Sequence, residues 1–344
     1  MIAAVLYGPN DLRIEEVETP QCGEDELLIR VKAVGLCGSD IRTIFNGHKR
    51  IAYPQILGHE ITGEIVEVGS NVKKYQQGER IYVSPTVPCF ECSPCKRGWY
   101  CQCENLTVPG TTMPGGFAEY MVITKDIMER GQIIPIPEKM SYEDAVMTEP
   151  LSSVYACQEN ADVTLGDTVV VIGTGPIGCL HVELAKLRGA IRVIAIDQLD
   201  ARLQIVKQFG ADDIINSKNE DPVARVKEIT AGYGADKIIS ANPSTEAQQQ
   251  AIAMAAKRGK VVFFGGVAPG KLTEIDTNIV HYNQLMLLGH FGYDHLQNYK
   301  SFALIASGRL AAKKYVTHVL PLAEIKKGIE LTKSGEAIKV VLQP

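Results

Sequence analysis

The feature that most constrains the fold of this chain is a glycine turn between an apolar run and an amphipathic segment. The run Val169–Ile172 leads into Gly173-Thr-Gly175-Pro-Ile-Gly178, and apolar residues then recur at helical spacing, namely Ile177, Leu180, Leu184 and Leu187. In such a turn Gly173 permits the tight bend, Gly175 lets the backbone approach a pyrophosphate, and Gly178 lets helix and strand pack closely. The pattern predicts a strand, a turn and a helix that together bind a dinucleotide.

An acidic residue at the end of the next predicted strand strengthens this prediction. Asp197 lies nineteen residues after Gly178, where a carboxylate accepts hydrogen bonds from the ribose of a dinucleotide. Gln198 and Leu199 follow it, so no adjacent cation would neutralise a 2′-phosphate, and NAD is favoured over NADP. The alternative is that the glycines only shape a turn and that Asp197 only caps it. The remaining residues expected to contact the dinucleotide are Pro176, Ile177 and Arg202.

Beyond the glycine turn, apolar strands alternate with amphipathic helices. In addition to Val169–Ile172, the predicted strands are Val193–Ile196, Asp213–Ile215, Lys237–Ile239, Lys260–Phe264 and Leu285–Leu288. The predicted helices lie around 200–209, 221–230 and 245–257. Six strands that alternate with helices make a doubly wound parallel sheet with helices on both faces.

Residues 1 to about 150 have a different sequence pattern, in which short runs of alternating apolar and polar residues are separated by Gly and Pro. The runs Leu28–Val34, Glu60–Val68 and Arg80–Val83 alternate apolar and polar residues, which predicts a mostly antiparallel β domain. The change comes after Glu149-Pro150, and a length of 344 residues suits two domains. From about residue 291 the periodicity fits either a continuation of the parallel-sheet domain or a return to the first domain.

Composition and charge narrow the class of protein. The chain has 40 acidic and 35 basic residues and a formal charge of -5, which argues against a nucleic-acid partner. No apolar run approaches the ~18 residues of a membrane span, and Asp11 interrupts the N-terminus before an export segment could form. The nine cysteines are an odd number, and we expect reduced thiols, a cytoplasmic location and no membrane contact.

Four cysteines crowd into one short segment at metal-ligand spacing: Cys89, Cys92, Cys95 and Cys103. Four thiolates complete a tetrahedral zinc shell and leave no position for substrate, so we expect a structural zinc site. The alternative, a set of free or disulfide-bonded cysteines, is less favoured because we expect no export leader. Cys101 is a spare thiol that either is inert or competes for the fourth position.

A second set of possible ligands is scattered along the chain. Cys37, His59, Glu60 and Glu149 offer a thiolate, an imidazole and carboxylates, and such a mixed set leaves a coordination position for water or substrate. Each residue alone has an ordinary structural alternative: a small buried hydrophobe for Cys37, a core histidine for His59, a carboxylate at a helix start for Glu149. The sequence therefore predicts two zinc sites, one closed and one open.

These motifs occur in an order typical of a known family. Along the chain they are Gly35-Leu-Cys37-Gly-Ser39-Asp40, Gly58-His59-Glu60, the four cysteines, Gly115-Gly-Phe-Ala-Glu-Tyr120, Glu149-Pro150 and the glycine turn. With them, essentially the whole chain resembles the zinc-dependent medium-chain alcohol dehydrogenases. It is most similar to the polyol branch, which includes sorbitol (L-iditol) and galactitol-1-phosphate dehydrogenases, because simple-alcohol enzymes usually carry a cysteine ligand in the region of Glu149.

The resemblance implies an α/β fold built from two domains. A GroES-like, mostly antiparallel β catalytic domain would comprise residues 1–155 and be completed by 291–344. A Rossmann domain with a doubly wound parallel sheet would comprise residues 156–290 and bind NAD. The resemblance also implies a homodimer or a homotetramer.

By the same resemblance, Cys37, His59 and a carboxylate hold the catalytic zinc. Glu149 matches the ligand position of the family, and Glu60 exchanges with it or with water, so both glutamates are candidate catalytic residues. Ser39 matches the hydroxyl that relays the substrate proton.

The implied activity is oxidation of a secondary alcohol of a polyol or sugar alcohol, phosphorylated or not, to a ketone, with hydride transfer to NAD. Near relatives act on L-threonine or 2,3-butanediol with the same parts, and a noncatalytic cofactor-binding protein on this fold is a third reading. Two positions depart from the family. Arg42 stands where many relatives have a relay histidine, and Gly292 replaces an arginine that precedes Tyr293 in sorbitol dehydrogenases, which argues against sorbitol itself.

Overall fold

The computed structural model describes residues 1–344, and the chain divides into two compact units. The first unit comprises Met1–Ser152 together with Tyr293–Pro344, and the second comprises Ser153–Gly292. No helix combines the length and the apolar character needed to cross a membrane.

The N-terminal part of the first unit is dominated by antiparallel pairs. Its register is fixed by one-sided burial: in the third strand Ile29, Val31 and Ala33 are fully or almost fully buried and Arg30 is exposed. The two other strands predicted here have the bounds that the alternation indicates. In chain order the elements are β1 (Ile2–Gly8), β2 (Asp11–Glu16), β3 (Leu27–Gly35), α1 (Gly38–Asn46), β4 (Gln55–Ile56), β5 (Glu60–Val68), β6 (Arg80–Val83), α2 (Ser93–Lys96), β7 (Tyr120–Ile123), α3 (Lys125–Arg130), β8 (Ile133–Pro135), α4 (Tyr142–Val146) and α5 (Thr148–Ala161).

The second unit is a parallel sheet with the strand order β11-β10-β9-β12-β13-β14. The order reverses between β9 and β12, and in such sheets ligands bind at the carboxyl ends of the strands beside the reversal. The glycine turn follows β9 at that point. The elements are β9 (Thr168–Ile172), α6 (Pro176–Leu187), β10 (Arg192–Asp197), α7 (Asp200–Lys207), β11 (Asp213–Asn216), α8 (Pro222–Ile229), β12 (Ala235–Ser240), α9 (Thr245–Ala253), β13 (Ala255–Phe263), α10 (Thr277–Asn283) and β14 (Met286–Gly289).

One boundary in this unit was wrongly predicted. The helix expected over 245–257 ends at Ala253, and the strand expected from Lys260 begins at Ala255. Ala255 pairs with Ala235, and a register shift precedes Lys260 because Arg258 adopts a left-handed φ of 63°. The first residues of β13 therefore form a bulge, in which apolar and polar residues do not alternate.

Two histidines, the fully buried His181 and the half-buried His290, flank the ring of Phe264 in the second unit. The His181 ring meets it edge-on with centroids 4.9 Å apart, and the His290 ring stacks on it at 5.1 Å. Burial lowers the pKa of His181 to about 3 and that of His290 to about 4. Since an unfolded histidine titrates near ~6.5, the stability gained from these neutral rings is complete above about pH 6.5. It is lost as the pH falls toward 4.

We therefore expect the free energy of unfolding to decrease between about pH 6.5 and 4, and His290→Phe to reduce that decrease by removing one titrating group. Denaturant titrations at several pH values measure it. The matched control is His281→Phe, because His281 is exposed. Equal pH dependence in both variants and the parent chain would contradict the assignment.

The C-terminal stretch joins the antiparallel sheet of the first unit. The last strand pairs antiparallel with β3, Leu342 opposite Val34, and this places Lys339 near the ends of β3 and β5. The elements of this stretch are α11 (His295–Ala306), β15 (Val316–Pro321), α12 (Ile325–Ser334) and β16 (Lys339–Gln343). The sheet has the order β15-β16-β3-β5-β6-β8, with β7 also paired to β3.

Candidate active site

Cys37, His59 and Glu60 meet where β3 and β5 lie side by side. Gly35, the last residue of β3, is the register partner of Glu60, the first residue of β5, and Cys37 directly precedes α1. The sulfur, the imidazole nitrogen and a carboxylate oxygen all lie within 4.8 Å of one another. A thiolate, an imidazole and a carboxylate at this spacing fit a zinc ion with a further position open.

Gly35 makes room for the Glu60 carboxylate. A Cβ on Gly35 would lie 1.7 Å from Glu60 Oε2 and 2.8 Å from Val146 Cγ1. Any side chain here would therefore displace Glu60. The motif that begins at Gly35 supplies one possible ligand, Cys37, and the space for another.

Asp40 orients two of these groups. Its Oδ1 lies 3.1 Å from His59 Nδ1, and its Oδ2 accepts a hydrogen bond of 3.0 Å from the Cys37 backbone N–H. Burial by itself lowers the pKa of His59, but the charge and hydrogen bond of Asp40, with Cys37, raise it well above its usual value. A carboxylate on Nδ1 leaves Nε2 as the nitrogen available to a metal.

Glu60 carries a buried ion pair. Lys339 donates to its Oε2, and the two side chains are 6% and 0% exposed. The other oxygen, Oε1, has no hydrogen-bond partner. A buried carboxylate oxygen without a partner is costly, so it points to a missing ligand such as a cation.

Glu149 lies beside this cluster and is half-buried in the first turn of α5. Its carboxylate is not among the ligand atoms within 4.8 Å. Desolvation raises the pKa of Glu149 to about 7, and the Glu60 charge adds to this while His59 and Lys339 oppose it. A carboxyl with such a pKa can change protonation state near neutral pH.

The Tyr293 hydroxyl lies near Glu149. Tyr293 is 4% exposed, and its hydroxyl has no hydrogen-bond partner. Burial, with the nearby Tyr82 and the charge of Glu149, raises the pKa of Tyr293 well above its usual value, so the hydroxyl is a donor at neutral pH. The preceding Gly292 has a φ of 68°, a conformation that an arginine would adopt only with strain.

Ser39 and Arg42 lie on α1 close to the cluster in sequence. Both are exposed, Ser39 two residues after Cys37 and Arg42 one turn further along the helix. Asp40 and Lys339 were not predicted as site residues. Asp40 could have been found from its capping position three residues after Cys37, whereas Lys339 comes from the far end of the chain and gives no local signal.

The four cysteines form a compact shell in the segment 89–103, called here the four-cysteine lobe. Their sulfurs lie within 4.8 Å of one another, and those of Cys92 and Cys103 are 3.9 Å apart. A tetrahedral zinc shell with bonds of ~2.3 Å has sulfurs about 3.8 Å apart, so the lobe fits zinc.

The charge state of the sulfurs supports the same conclusion. Backbone N–H groups of Glu91 and Cys92 lower the pKa of Cys89 to about 6, whereas burial raises that of Cys95 to about 12. A cation is therefore needed to hold all four sulfurs as thiolates. The spare Cys101 thiol lies outside the shell, and burial raises its pKa to about 12.

The glycine turn of the second unit has the geometry that the sequence predicts. Gly173 adopts a φ of 96°, and a Cβ on Gly178 would lie 2.0 Å from the Gly173 carbonyl oxygen. A Cβ on Gly175 would meet nothing within 4 Å, so the space before the N-terminus of α6 is open to a ligand. An open helix N-terminus of this kind fits a dinucleotide pyrophosphate.

Asp197 is held by this turn. Its Oδ2 accepts hydrogen bonds from Thr174 N and Oγ1 at 2.8 and 3.0 Å, and its Oδ1 accepts from the N–H groups of Gln198 and Leu199 at 2.7 and 3.1 Å. The carboxylate therefore caps the turn, and a ribose would have to share its oxygens. Three further predicted contacts are half-buried: Pro176 and Ile177 in α6, and Arg202 in α7.

Comparison with known proteins identifies the family. Residues 23–138 match the alcohol dehydrogenase GroES-like domain, and residues 176–307 match the zinc-binding dehydrogenase family. An erythritol/L-threitol dehydrogenase of Mycolicibacterium smegmatis is 36% identical over 100% of this chain and 98% of its own length. An L-threonine 3-dehydrogenase of Bacillus subtilis is 35% identical over 96% of this chain and 94% of its own length.

A solved structure agrees in fold. A zinc-binding dehydrogenase from Sinorhizobium meliloti, bound to NADP, superposes with a TM-score of 0.93 at 28% identity and covers 100% of this chain and 99% of its own. The predicted fold class, a GroES-like domain with a doubly wound parallel-sheet domain, is confirmed. The chain belongs to the zinc-dependent medium-chain alcohol dehydrogenases, in the branch that contains the polyol dehydrogenases.

Proposed function

We propose that this protein oxidises a secondary alcohol of a small polyol or sugar alcohol to a ketone and reduces NAD. The observation that carries the proposal is the cluster of Cys37, His59 and Glu60, with a partnerless Glu60 oxygen, together with the buried Tyr293 hydroxyl near Glu149. The similarity to an erythritol/L-threitol dehydrogenase over the full length supports the substrate class.

Each residue of the site has a separate role in this reaction. When bound, zinc supplies a Lewis acid that lowers the pKa of an alcohol, and nicotinamide accepts the hydride. The alcohol loses the proton of its hydroxyl group and a hydride from the carbon that bears this hydroxyl, which leaves a carbonyl. Ser39 accepts the proton and passes it toward solvent, where its exposed position allows release. Glu149 balances charge at the site, and Tyr293 donates to a second hydroxyl of the polyol.

Oxidation of L-threonine is the second candidate, because a threonine dehydrogenase is nearly as similar as the polyol enzyme. A threonine substrate adds an ammonium and a carboxylate, whereas a tetritol offers further hydroxyls to the partnerless Tyr293. NADH absorbance with tetritols, pentitols, their phosphates, threonine and butanediols separates the candidates. Turnover confined to threonine would reject the polyol assignment, and failure of every alcohol would favour a noncatalytic protein.

The two sulfur-containing clusters are proposed to hold two zinc ions per chain that differ in lability. The lobe offers a closed shell of four sulfurs, whereas the Cys37 cluster leaves a position open to exchange. We expect a chelator to remove one zinc quickly together with activity, and the second slowly with loss of stability. Metal analysis and activity over time measure both.

Cys103→Ser should accordingly lower the melting temperature more than it lowers kcat of the folded fraction. A single zinc per chain, or activity that survives the loss of both, would contradict this assignment. The exposed lobe residue Lys96 provides a control variant, Lys96→Ser, which leaves the sulfur shell intact.

A homodimer or homotetramer is proposed on the basis of an open sheet edge. β14 pairs with β13 on one side and ends the sheet on the other, and its Met286 is 45% exposed. The preceding α10 exposes Tyr282 and Ile279 at 76% and 36%. An apolar edge strand next to exposed apolar side chains pairs readily with a second copy about a two-fold axis.

Met286→Glu is expected to convert this oligomer to a smaller species, because the substitution places a charge at the paired edge. Light scattering after size-exclusion chromatography measures the mass. Leu165→Glu is the matched control, since Leu165 is 82% exposed in the same unit and lies outside β14 and α10. An unchanged mass in Met286→Glu would reject the edge as the interface.

The compartment is proposed to be the reducing cytoplasm. All nine cysteines are free thiols, and four of them form the sulfur shell. Free thiols at metal-ligand spacing persist where disulfides are kept reduced.

A further inference from the structure

Three consecutive residues at the start of α11 connect the four-cysteine lobe with the candidate active site. Tyr293 presents its hydroxyl near Glu149, while Asp294 and His295 contact the lobe. All three residues belong to the first unit. The proposed reaction uses Tyr293 but assigns nothing to its two neighbours.

On the lobe side, the contacts come from the short 3₁₀ turn Tyr100–Gln102. The Cys101 backbone N–H donates to Asp294 Oδ1 at 2.8 Å, and the Tyr100 and His295 rings lie 5.1 Å apart. This turn directly precedes Cys103, whose N–H donates back to Tyr100 O at 3.0 Å. Closure of the sulfur shell around a metal therefore fixes the groups that touch α11.

The first turn of α11 is also held by hydrogen bonds from residues outside the lobe. Gln132 Nε2 donates to His295 O at 3.0 Å, and its Oε1 accepts from Asn298 Nδ2 at 3.1 Å. Asn298 Oδ1 accepts from Tyr82 and Ser152 hydroxyls at 3.0 and 3.1 Å. These hydrogen bonds of Gln132 and Asn298 hold the first turn of α11 to the rest of the first unit. The lobe contacts this part of the chain through Asp294 and His295.

We propose that Asp294 and His295 are positioning residues through which the metal-loaded lobe holds the Tyr293 hydroxyl at the substrate position. The lobe then contributes to polyol affinity as well as to stability. This inference rests on the proposed function, in which Tyr293 donates to a substrate hydroxyl. Displacement of Asp294 moves the adjacent Tyr293 backbone, and a hydroxyl displaced by even a fraction of an ångström loses hydrogen-bond strength.

The first test separates the lobe contact from ordinary helix capping. Asp294→Ala removes the acceptor for Cys101 N–H, and Asp294→Asn retains one. Gln297→Ala removes the reciprocal hydrogen bond of 3.1 Å that Asp294 N–H donates to Gln297 Oε1, and it leaves the lobe contact intact. His295→Ala and His295→Phe form a second pair, in which phenylalanine keeps the ring contact with Tyr100.

We expect Asp294→Ala and His295→Ala to raise KM for the polyol roughly threefold to tenfold, as for loss of one hydrogen bond, with kcat and NADH affinity little changed. Asp294→Asn, His295→Phe and Gln297→Ala should stay near the parent KM. In a Tyr293→Phe background, Asp294→Ala should raise KM no further, because the hydroxyl it positions is gone. Equal KM values in Asp294→Ala and Gln297→Ala, or full additivity with Tyr293→Phe, would overturn the proposal.

A second test needs no turnover. Hydrogen exchange of the segment 293–298 is measured by mass spectrometry after a chelator has emptied the labile Cys37 cluster, and again after longer treatment has also removed metal from the lobe. Exchange should accelerate in the parent and in Asp294→Asn, and Asp294→Ala should already exchange fast with metal bound. Unchanged exchange in the parent would overturn the coupling. Accelerated exchange in a protein that oxidises no polyol would uphold the coupling and reject the proposed substrate.

Discussion

Glu149→Ala is expected to lower kcat for polyol oxidation by about 100-fold, the upper range for loss of a group that tunes a metal site. Burial raises the pKa of this carboxyl to about 7, and the charges of His59, Glu60 and Lys339 all influence it. Its removal leaves the cluster with altered charge just where the alcohol loses a proton. NADH affinity should remain near the parent value, because the glycine turn belongs to the other unit.

Steady-state kinetics and NADH fluorescence titration measure the two effects. Glu138→Ala is the matched control, since Glu138 is an exposed glutamate of the same unit. If Glu149→Ala kept normal turnover, or lost activity and NADH binding in equal measure, Glu149 would have no direct role in the reaction.

Asp197→Ser combined with Gln198→Arg is expected to shift the ratio of kcat/KM for NAD to that for NADP by about tenfold or more toward NADP. The change removes an anion that repels the 2′-phosphate and supplies a guanidinium that binds it, and ~1.4 kcal/mol of differential binding is enough. Kinetics with both cofactors measure the ratio.

The double variant should also melt at a lower temperature. Asp197 accepts hydrogen bonds from Thr174, Gln198 and Leu199, and serine cannot replace all of them. The single variant Gln198→Arg keeps the cap and serves as the control. An unchanged cofactor ratio with lowered stability would show that Asp197 only caps the turn, and the assignment of NAD would then fail.

The fold was predictable where the sequence pattern is local and repeated. The glycine turn and the apolar runs predict the parallel sheet, and β5 and β6 begin and end at the expected residues. The prediction failed at Ala255, where a bulge at Arg258 breaks the alternation. Periodicity also did not show which domain contains the C-terminal stretch, because pairing between β16 and β3 joins residues from opposite ends of the chain.

The two groups of possible metal ligands could be predicted from residue type and spacing, and the residues around them could be predicted less well. Cysteine spacing alone indicated the lobe, and the motifs around Cys37 and His59 indicated the open cluster. The ion pair of Glu60 with Lys339 could not be predicted, because it depends on β3 pairing with β16 on one side and with β5 on the other. The partnerless Tyr293 hydroxyl likewise is a property of the packed structure.

We propose above all that this chain transfers a hydride from a polyol carbon to NAD at the Cys37 cluster. The most direct test of this proposal is incubation of the zinc-loaded protein with NAD and a tetritol or pentitol that carries deuterium on its carbinol carbons. Mass spectrometry should find the deuterium in the reduced cofactor and a ketone as product, and both should vanish when the labile zinc is withdrawn and return when it is restored. Reduced cofactor without deuterium, or transfer that persists without that zinc, would contradict the account.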